Sequence, residues 1–371
     1  MSEKSKNVST PVRDYWFDNI KGILMILVVV GHMTAQMAKL SHVINTLYYG
    51  INIFHMCAFM IVTGYLSKRR IDSKDYISII NKNLIPYLLA QLVMFFGAAF
   101  IPNGLKAVGA DKVLGSATFT FFFPIYQLWF LAAIMIHALV SMKLQPKRHP
   151  ILFMLAAIAM SLLCGYLPQV NVMRISKSLR YYPFFLLGYL LPKDFMSKLR
   201  NKWQYLLVAV FIWMGYLYFL SHEEWWIGFN TLVVLSTRFG SCGPFYGNLP
   251  PVLMHLIFLT VVPVISLAFC ALCPRNVTIF SKLGQNSMYI FVLHGLVVMA
   301  VRCLHYKFGI MANINTPLLK SVYLVFCVLV TFVLGSNRCK RMFKSILQPD
   351  VDIGKVIASL NDQYQNSKNR A

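Results

Sequence analysis

The chain has 371 residues, 58% of them hydrophobic, and its mean hydropathy is +0.61. Long apolar stretches recur from one end to the other, which is typical of a polytopic membrane protein and excludes an ordinary soluble domain. The formal net charge of +23 would suggest nucleic-acid binding in a soluble chain. Here the lysines and arginines cluster between the apolar stretches, where they orient membrane spans, so we expect no nucleic-acid partner.

Ten segments approach the length of about 20 apolar residues that a transmembrane helix needs. They are 18–38, 46–66, 84–101, 119–141, 150–167, 180–192, 203–221, 252–272, 285–303 and 318–336. The sixth is short, and its sequence YYPFFLLGYL predicts a broken or tilted helix. A further apolar patch, 225–235, is too short to cross and is expected to lie at the interface or to re-enter the membrane.

Basic residues are concentrated in alternate loops between these segments, as the positive-inside rule requires. With the N-terminus in the cytoplasm, the inner side holds 25 of the 35 lysines and arginines. The sequence therefore predicts an all-α polytopic integral membrane protein with about ten transmembrane helices and both termini cytoplasmic. We expect a cytoplasmic N-terminal segment (1–17), a transmembrane domain (18–336) and a cytoplasmic C-terminal tail (337–371).

The first predicted span carries His32 within an apolar run and Lys21 near its inner end. Ionisable side chains in hydrocarbon are costly, so this histidine is a functional candidate. The two residues are eleven positions apart, close to three helical turns, and share a face about 16 Å apart along the axis. A cofactor with an anionic head and a long thin arm would bridge them. Alternatively, Lys21 only flanks the span and His32 only bonds to a neighbouring helix.

The second predicted span carries His55 within about one helical turn of the depth of His32, and it leads into Arg69 and Arg70 at the cytoplasmic face. Because a short loop joins the two spans, we expect them to be neighbours. His32 and His55 are predicted to be a base and its orienter, unless His55 is only a polar cross-link. Arg69 and Arg70 suit phosphate groups, although topology alone also accounts for them. The spans contain no deep Asp or Glu that would orient a histidine.

Other candidates are less specific. Glu223, Trp225 and Trp226, in the largest external loop, suit a sugar-bearing partner or an ordinary interfacial belt. His137 and His255 are expected to be interfacial.

The eight cysteines offer no external pair to oxidise, and we expect no metal site. The motifs of phosphate-binding loops, zinc proteases and α/β-hydrolases are absent, so those activities have no support.

These features resemble the membrane acyltransferase-3 family, which includes bacterial polysaccharide O-acetyltransferases, and are most similar to its fucose 4-O-acetylase-like members. The resemblance covers about 13–334 and rests on RDYWFDNIKGILMILVVVGHM, FHMCAFMIVTGYL, IPY at the start of the third span, LWFL, YYPFFLLGYLL, and LGQNSMY leading to His294. Two positions depart from the family pattern. Cys57 stands where the family usually has proline, and Thr63 where it usually has serine.

The resemblance implies an O-acetyltransferase that uses cytoplasmic acetyl-CoA and no metal. It implies that Lys21, Arg69 and Arg70 bind the CoA phosphates and that the thioester reaches His32, which acts as general base or transient acyl carrier. The acceptor would be a hydroxyl of a cell-surface or exported glycan, free or lipid-linked, with His294 as a further binding residue. The expected location is the bacterial plasma membrane, among its lipids. A non-enzymatic glycan flippase or a polysaccharide polymerase is the alternative.

Overall fold

The computed structural model describes residues 13–107, 121–168, 170, 172–222, 225, 238–241, 249–349 and 359. Within these residues the chain is helical and has no β-strand. The long helices of this part are α1 (Tyr15–Thr34), α2 (His42–Leu66), α3 (Tyr76–Ala99), α4 (Trp129–Leu144), α5 (Pro150–Tyr166), α6 (Ile175–Leu190), α7 (Trp203–Ser221), α8 (Pro251–Leu272), α9 (Ser287–Phe308) and α10 (Pro317–Leu334). Short helices are Lys68–Asp72, Gly104–Ala107, Phe195–Asn201, Ile279–Gln285 and Asn337–Leu347.

Each of the ten predicted segments overlaps one of these long helices. Within the described residues, eight of the helices are long and apolar enough to cross a membrane, if the turn Tyr126–Leu128 is counted with α4. The other two are α5, with 17 residues, and α6, with 16. The chain is therefore a polytopic membrane protein whose described part is all-helical. The number of crossings and the side on which the termini lie stay predictions.

The sixth predicted segment forms a longer helix than expected. The sequence predicts a short, broken or tilted helix over 180–192, whereas α6 begins at Ile175 and continues through Pro183 without a break. Arg180, Tyr181 and Phe185 of this helix are at most 2% exposed. A proline is tolerated inside a membrane helix where neighbouring groups compensate for the lost backbone bond. Because other helices surround it, α6 is part of the core.

The helices α1, α2, α4, α6, α8 and α9 contribute most of the buried side chains, whereas α7 and α10 lie at the periphery. Apolar residues of the peripheral helices, such as Phe211 and Leu329, are exposed, as expected of helices that face lipid. The first turn of α1 lies beside the last turn of α2, because the rings of Phe17 and Tyr65 stack with centroids 5.6 Å apart. These two helices are therefore antiparallel neighbours, as predicted.

Two pairs of helices cross with their backbones in direct contact, and glycine makes this possible. Where α1 crosses the helix Ile279–Gln285, a methyl group on Gly284 would overlap the carbonyl oxygen of Asp18. Where α2 crosses α6, a methyl group on Gly188 would overlap the carbonyl oxygen of Ile61. Small residues are typical of such crossings because close packing, rather than the hydrophobic effect, holds helices together in lipid.

Asn19 joins α1 to the segment that leads into α9. Its amide nitrogen donates to the carbonyl oxygens of Pro274 and Asn276, at 2.9 and 2.7 Å. Its side-chain oxygen accepts from the hydroxyl groups of Thr278 and Ser281, each at 2.7 Å. All four hydrogen-bonding positions of this buried amide are therefore used. The network fixes α1, which carries His32, relative to α9, which carries His294.

Candidate active site

The structure brings His32 and His294 together. His32 lies near the end of α1 and His294 lies two turns into α9, and their ring centroids are 5.4 Å apart with the planes inclined by 25°. His294 is fully buried, whereas His32 is partly exposed. Imidazole is the side chain whose ordinary pKa suits proton transfer near neutrality. A stacked pair of them inside a membrane domain is therefore a candidate for acid–base chemistry.

His55 and Lys177 extend this pair into a cluster of basic groups. Both lie close enough to His32 to interact with it electrostatically. The Nδ1 atom of His55 is 2.8 Å from the carbonyl oxygen of Ile51, and the ammonium of Lys177 lies 4.0 Å from the ring centre of Trp129. The structure thus places His55 near His32, but within the described residues no hydrogen bond joins the two imidazoles. The catalytic role of His55 stays a prediction.

Two residues that the sequence did not single out hold His32 in place. The hydroxyl of Tyr126, just before α4, is 2.7 Å from Nδ1 of His32. On α9, Nη2 of Arg302 donates to that hydroxyl at 3.1 Å and to the carbonyl oxygen of His32 at 3.4 Å. Its Nη1 donates to the carbonyl oxygen of Ala107 at 3.3 Å. A phenol and a guanidinium therefore occupy the place that a carboxylate has beside many catalytic histidines.

Tyr126 adopts an unusual backbone conformation, with a φ of +48°, in the left-handed region that large side chains rarely enter. The next residue, Gln127, donates from its amide to the carbonyl oxygens of Phe291 and Val292 on α9, at 3.2 and 3.1 Å. These bonds hold the turn against α9. Strained backbone that neighbouring contacts maintain in this way is concentrated at functional sites. In this protein the unusual backbone conformation of Tyr126 directs its hydroxyl to His32.

Lys21 lies at the end of the bundle where α1 begins. Its Nζ atom forms an ion pair with Oδ1 of Asp18 at 2.9 Å, and Oδ2 of the same buried carboxylate accepts from Nε of Arg13 at 2.6 Å. Asp18 positions Lys21, whose side chain is still 28% exposed. Lys21 is therefore oriented and accessible, and its role in phosphate binding stays a prediction.

Arg69 and Arg70 lie at the same end, on the short helix that follows α2. The guanidinium of Arg69 is exposed. That of Arg70 is partly buried, with its terminal nitrogens 3.4 Å from Oδ1 of Asn83 and 3.5 Å from the hydroxyl of Ser67. Burial lowers the pKa of the neighbouring Lys68 to about 8. Because an arginine stays charged at any physiological pH, the two arginines suit a phosphate better than Lys68 does.

An apolar cavity of about 120 Å³ lies between the charged end and the histidines. Met25 and Val28 of α1, Met56 and Phe59 of α2, and Phe291 of α9 line it. Each of them lies within two turns of one of the three histidines, on the side of the Lys21 end. Methionine side chains are flexible, so the cavity can widen around a thin chain. The cavity thus provides adaptable apolar space on the Lys21 side of the histidine pair.

Trp225, one of the acceptor-binding residues predicted in the external loop, is not brought to this site. Trp225 stacks on His222 just after α7, with ring centroids 4.3 Å apart and planes inclined by 12°. Within the described residues, no contact joins Trp225 to the histidine pair. Glu223 and Trp226 lie outside the described residues. Of the two predicted acceptor-binding residues that the structure describes, Trp225 and His294, His294 is the one that lies beside His32.

The expectation that His137 and His255 are interfacial is wrong, because their side chains are 1% and 0% exposed. Nε2 of His137 is 2.8 Å from the carbonyl oxygen of Ser178, and Nε2 of His255 is 2.9 Å from the hydroxyl of Ser161. The position of a residue along a span does not reveal whether neighbouring helices cover the face of the helix on which it lies. Both histidines join helices through hydrogen bonds.

Comparison with known proteins identifies the family. The model of the acyltransferase-3 family, described as an acyltransferase domain, matches residues 14–336. The chain belongs to the acyltransferase-3 family. The match includes the histidine pair and Lys21, Arg69 and Arg70, and it confirms the resemblance seen in the sequence motifs.

Two relatives are nodulation proteins named NolL. The protein from Mesorhizobium japonicum is 25% identical over 235 residues, which cover 60% of each chain. The protein from Sinorhizobium fredii is 30% identical over 198 residues, or 48% of each chain. The chain thus spans between about half and three fifths of the length of these relatives. No solved structure matches it.

Proposed function

We propose that this protein is a membrane O-acyltransferase, which moves an acetyl group from cytoplasmic acetyl-CoA to a hydroxyl of a cell-surface or exported glycan. The order of features along the bundle carries the proposal: cations at one end, then an apolar cavity, then a pair of histidines. Acetyl-CoA has the same order of parts, with anionic phosphates, a long thin arm and a terminal thioester. Membership of the acyltransferase-3 family supports acyl transfer as the reaction.

The donor binds from the end that holds Lys21, Arg69 and Arg70. We assign this end to the cytoplasm because the predicted inner loops carry 25 of the 35 basic residues. Guanidinium groups bind phosphates through charge-assisted hydrogen bonds. The pantetheine arm occupies the apolar cavity and widens it by moving the methionines. The acetyl group then reaches His32, about 16 Å along α1 from Lys21.

The acceptor hydroxyl approaches His32, whose side chain is partly exposed, from the opposite end. A glycan, free or linked to a membrane lipid, is the acceptor class we propose. His32 is the residue on which transfer depends, as general base, acyl carrier or hydrogen-bond donor. We assign the protein to a bacterial plasma membrane because both relatives named above are bacterial.

Transfer of a radiolabelled acetyl group tests this function. Membranes that contain the protein should incorporate label from acetyl-CoA into a glycan fraction, and mild alkali should release the label because acetate esters are base-labile. Membranes from the same host without the protein are the control. If the protein instead moves glycan across the membrane and releases no CoA, a flippase is the better assignment.

Replacing Arg69 and Arg70 together with glutamine should raise the KM for acetyl-CoA about tenfold or more, with little change in kcat. The substitutions remove charge-assisted bonds to the phosphates and leave the reacting groups untouched. Initial rates measured over a range of acetyl-CoA concentrations give both constants.

Arg148→Gln is the matched control for that experiment, because it removes another exposed arginine from a loop at the same end. Its KM should equal that of the wild-type protein. An unchanged KM in the double variant would show that Arg69 and Arg70 set topology rather than bind the donor.

A further inference from the structure

Two of the three histidines present the same ring nitrogen to the site. Nδ1 of His294 lies 2.9 Å from the carbonyl oxygen of Ile290, and Nδ1 of His55 lies 2.8 Å from that of Ile51. A carbonyl oxygen only accepts hydrogen bonds, so in both rings Nδ1 carries the proton. In the neutral ring, Nε2 then has a free lone pair. His294 and His55 are therefore both set up to accept a proton through Nε2.

His32 has the opposite arrangement. Its Nδ1 atom faces the hydroxyl of Tyr126, which also accepts from Arg302 at 3.1 Å. A guanidinium only donates, so the hydroxyl oxygen accepts from Arg302 and its own proton points to Nδ1 of His32. If His32 donated instead, the partly buried hydroxyl proton would have no protein acceptor within the described residues, which is unfavourable. The network therefore favours neutral His32 with its proton on Nε2.

The Nε2 atom of His294 has a further distinguishing feature. It is buried and has no hydrogen-bond partner among the described residues. A buried polar atom of this kind is costly unless a ligand supplies its partner. Because the His294 ring stacks on His32, a substrate hydroxyl bonded to this atom would lie beside His32. Of the two proton acceptors, His294 is thus the better placed.

We propose that the two imidazoles divide the reaction, with His294 taking the proton of the acceptor hydroxyl through Nε2 and His32 donating from Nε2–H to the thioester oxygen. This assignment rests on the acetyl transfer proposed above. Tyr126 and Arg302 are positioning residues, since they act through the tautomer of His32. A donor aimed at the developing oxyanion and a base aimed at the hydroxyl are the two groups that acyl transfer needs.

The step balances without any further reactant. The O–H bond of the acceptor breaks and its proton passes to His294, while the oxygen forms a bond to the acetyl carbon. The resulting oxyanion accepts a hydrogen bond from His32. The oxyanion then re-forms the carbonyl as the C–S bond breaks and releases the CoA thiolate. The thiolate takes the proton from His294 to become a thiol, and the acetate ester leaves.

Amide side chains separate the roles of the two ring nitrogens. Asparagine places an amide nitrogen near the position of Nδ1, and glutamine places one near that of Nε2. We expect His294→Asn, which keeps a donor for Ile290 but has no base, to lose at least about 100-fold in acetyl transfer. We expect His32→Gln, which keeps a donor near Nε2, to transfer at least about ten times faster than His32→Ala.

His137→Gln is the matched control, since it replaces a buried histidine outside the site and keeps a donor for Ser178. It should transfer acetyl at the wild-type rate. Transfer by His294→Asn near that rate would overturn the proposal, as would a His32→Gln variant no faster than His32→Ala. If the wild-type protein incorporates no label, the acetyltransferase function itself is wrong.

The tautomer of His32 is measurable without any activity. In protein with isotopically labelled histidine, nitrogen NMR should show the proton of His32 on Nε2, and the His32→Gln variant identifies the signal. Tyr126→Phe removes the donor to Nδ1 and should shift the ring toward the other tautomer. A proton found on Nδ1 of His32 in the wild-type protein would overturn the assignment.

Discussion

Replacing His32 with alanine should lower acetyl transfer by about 10²–10⁴-fold, while the protein remains inserted and still binds CoA. Loss of a general base costs about 10²–10⁴ in rate, and loss of an oxyanion donor about 10²–10³. A transient acyl carrier would cost at least as much. The side chain is partly exposed and lies near the end of α1, so its truncation leaves no large cavity in the core. Incorporation of labelled acetyl measures the effect.

Calorimetric titration with CoA supplies the control for His32→Ala. Wild-type affinity is expected, because the phosphate site that we propose lies at the Lys21 end, about three helical turns away. If the variant transfers acetyl at nearly the wild-type rate, His32 is a packing residue and the chemistry belongs to His55 or His294. If the variant no longer binds CoA, the residue belongs to the donor site.

The positions of the ten long helices follow from apolar length, but their ends do not. The third segment shows the reason. It was predicted from residue 84, whereas α3 begins at Tyr76 and includes a π-helical turn at Ile80–Leu84. That first part contains Asn81 and Lys82, so it adds little apolar signal although it is helical. Hydropathy detects the part of a helix that suits hydrocarbon and misses the part that projects beyond it.

The histidines of the site could be predicted and their partners could not. His32 was a candidate because an ionisable side chain inside a span is costly. Arg302 looks like an ordinary flanking residue at the end of a predicted span. Tyr126 falls in a segment predicted as helix, whereas it occupies a turn with a φ of +48°. The two residues are 176 positions apart, so no local pattern links them.

The position of His294 was likewise only half predictable. Its place in a family-like motif suggested acceptor binding, but not which residue it would face. The contact with His32 depends on Asn19, which ties α1 to the segment before α9, and on the tight crossing at Gly284. Such contacts combine backbone carbonyls and glycines from distant parts of the chain. Backbone carbonyls and glycines leave no pattern of hydropathy or charge in the sequence, so such contacts cannot be predicted from it.

Replacing Gly284 with alanine should destabilise the protein by about 3 kcal/mol or more and disrupt the site. The added methyl group would overlap the carbonyl oxygen of Asp18, which belongs to backbone and cannot rotate away as a side chain can. Overpacking of an ordinary core costs about 1–3 kcal/mol. Here relief requires that α1 and the helix Ile279–Gln285 move apart. That movement would also separate His32 from His294, so acetyl transfer should fall with stability.

Gly215→Ala on α7 is the matched control, because a methyl group there would meet no atom within 4 Å. Alanine is favoured over glycine inside a helix by about 1 kcal/mol, so this variant should be as stable as the wild type or slightly more so. Thermal unfolding in detergent, followed by the fraction that remains monodisperse, compares the two variants. A Gly284→Ala protein with wild-type stability would show that α1 and the helix Ile279–Gln285 can move apart with little loss of stability. The close contact of α1 with the helix before α9 would then not be what holds the two histidines together.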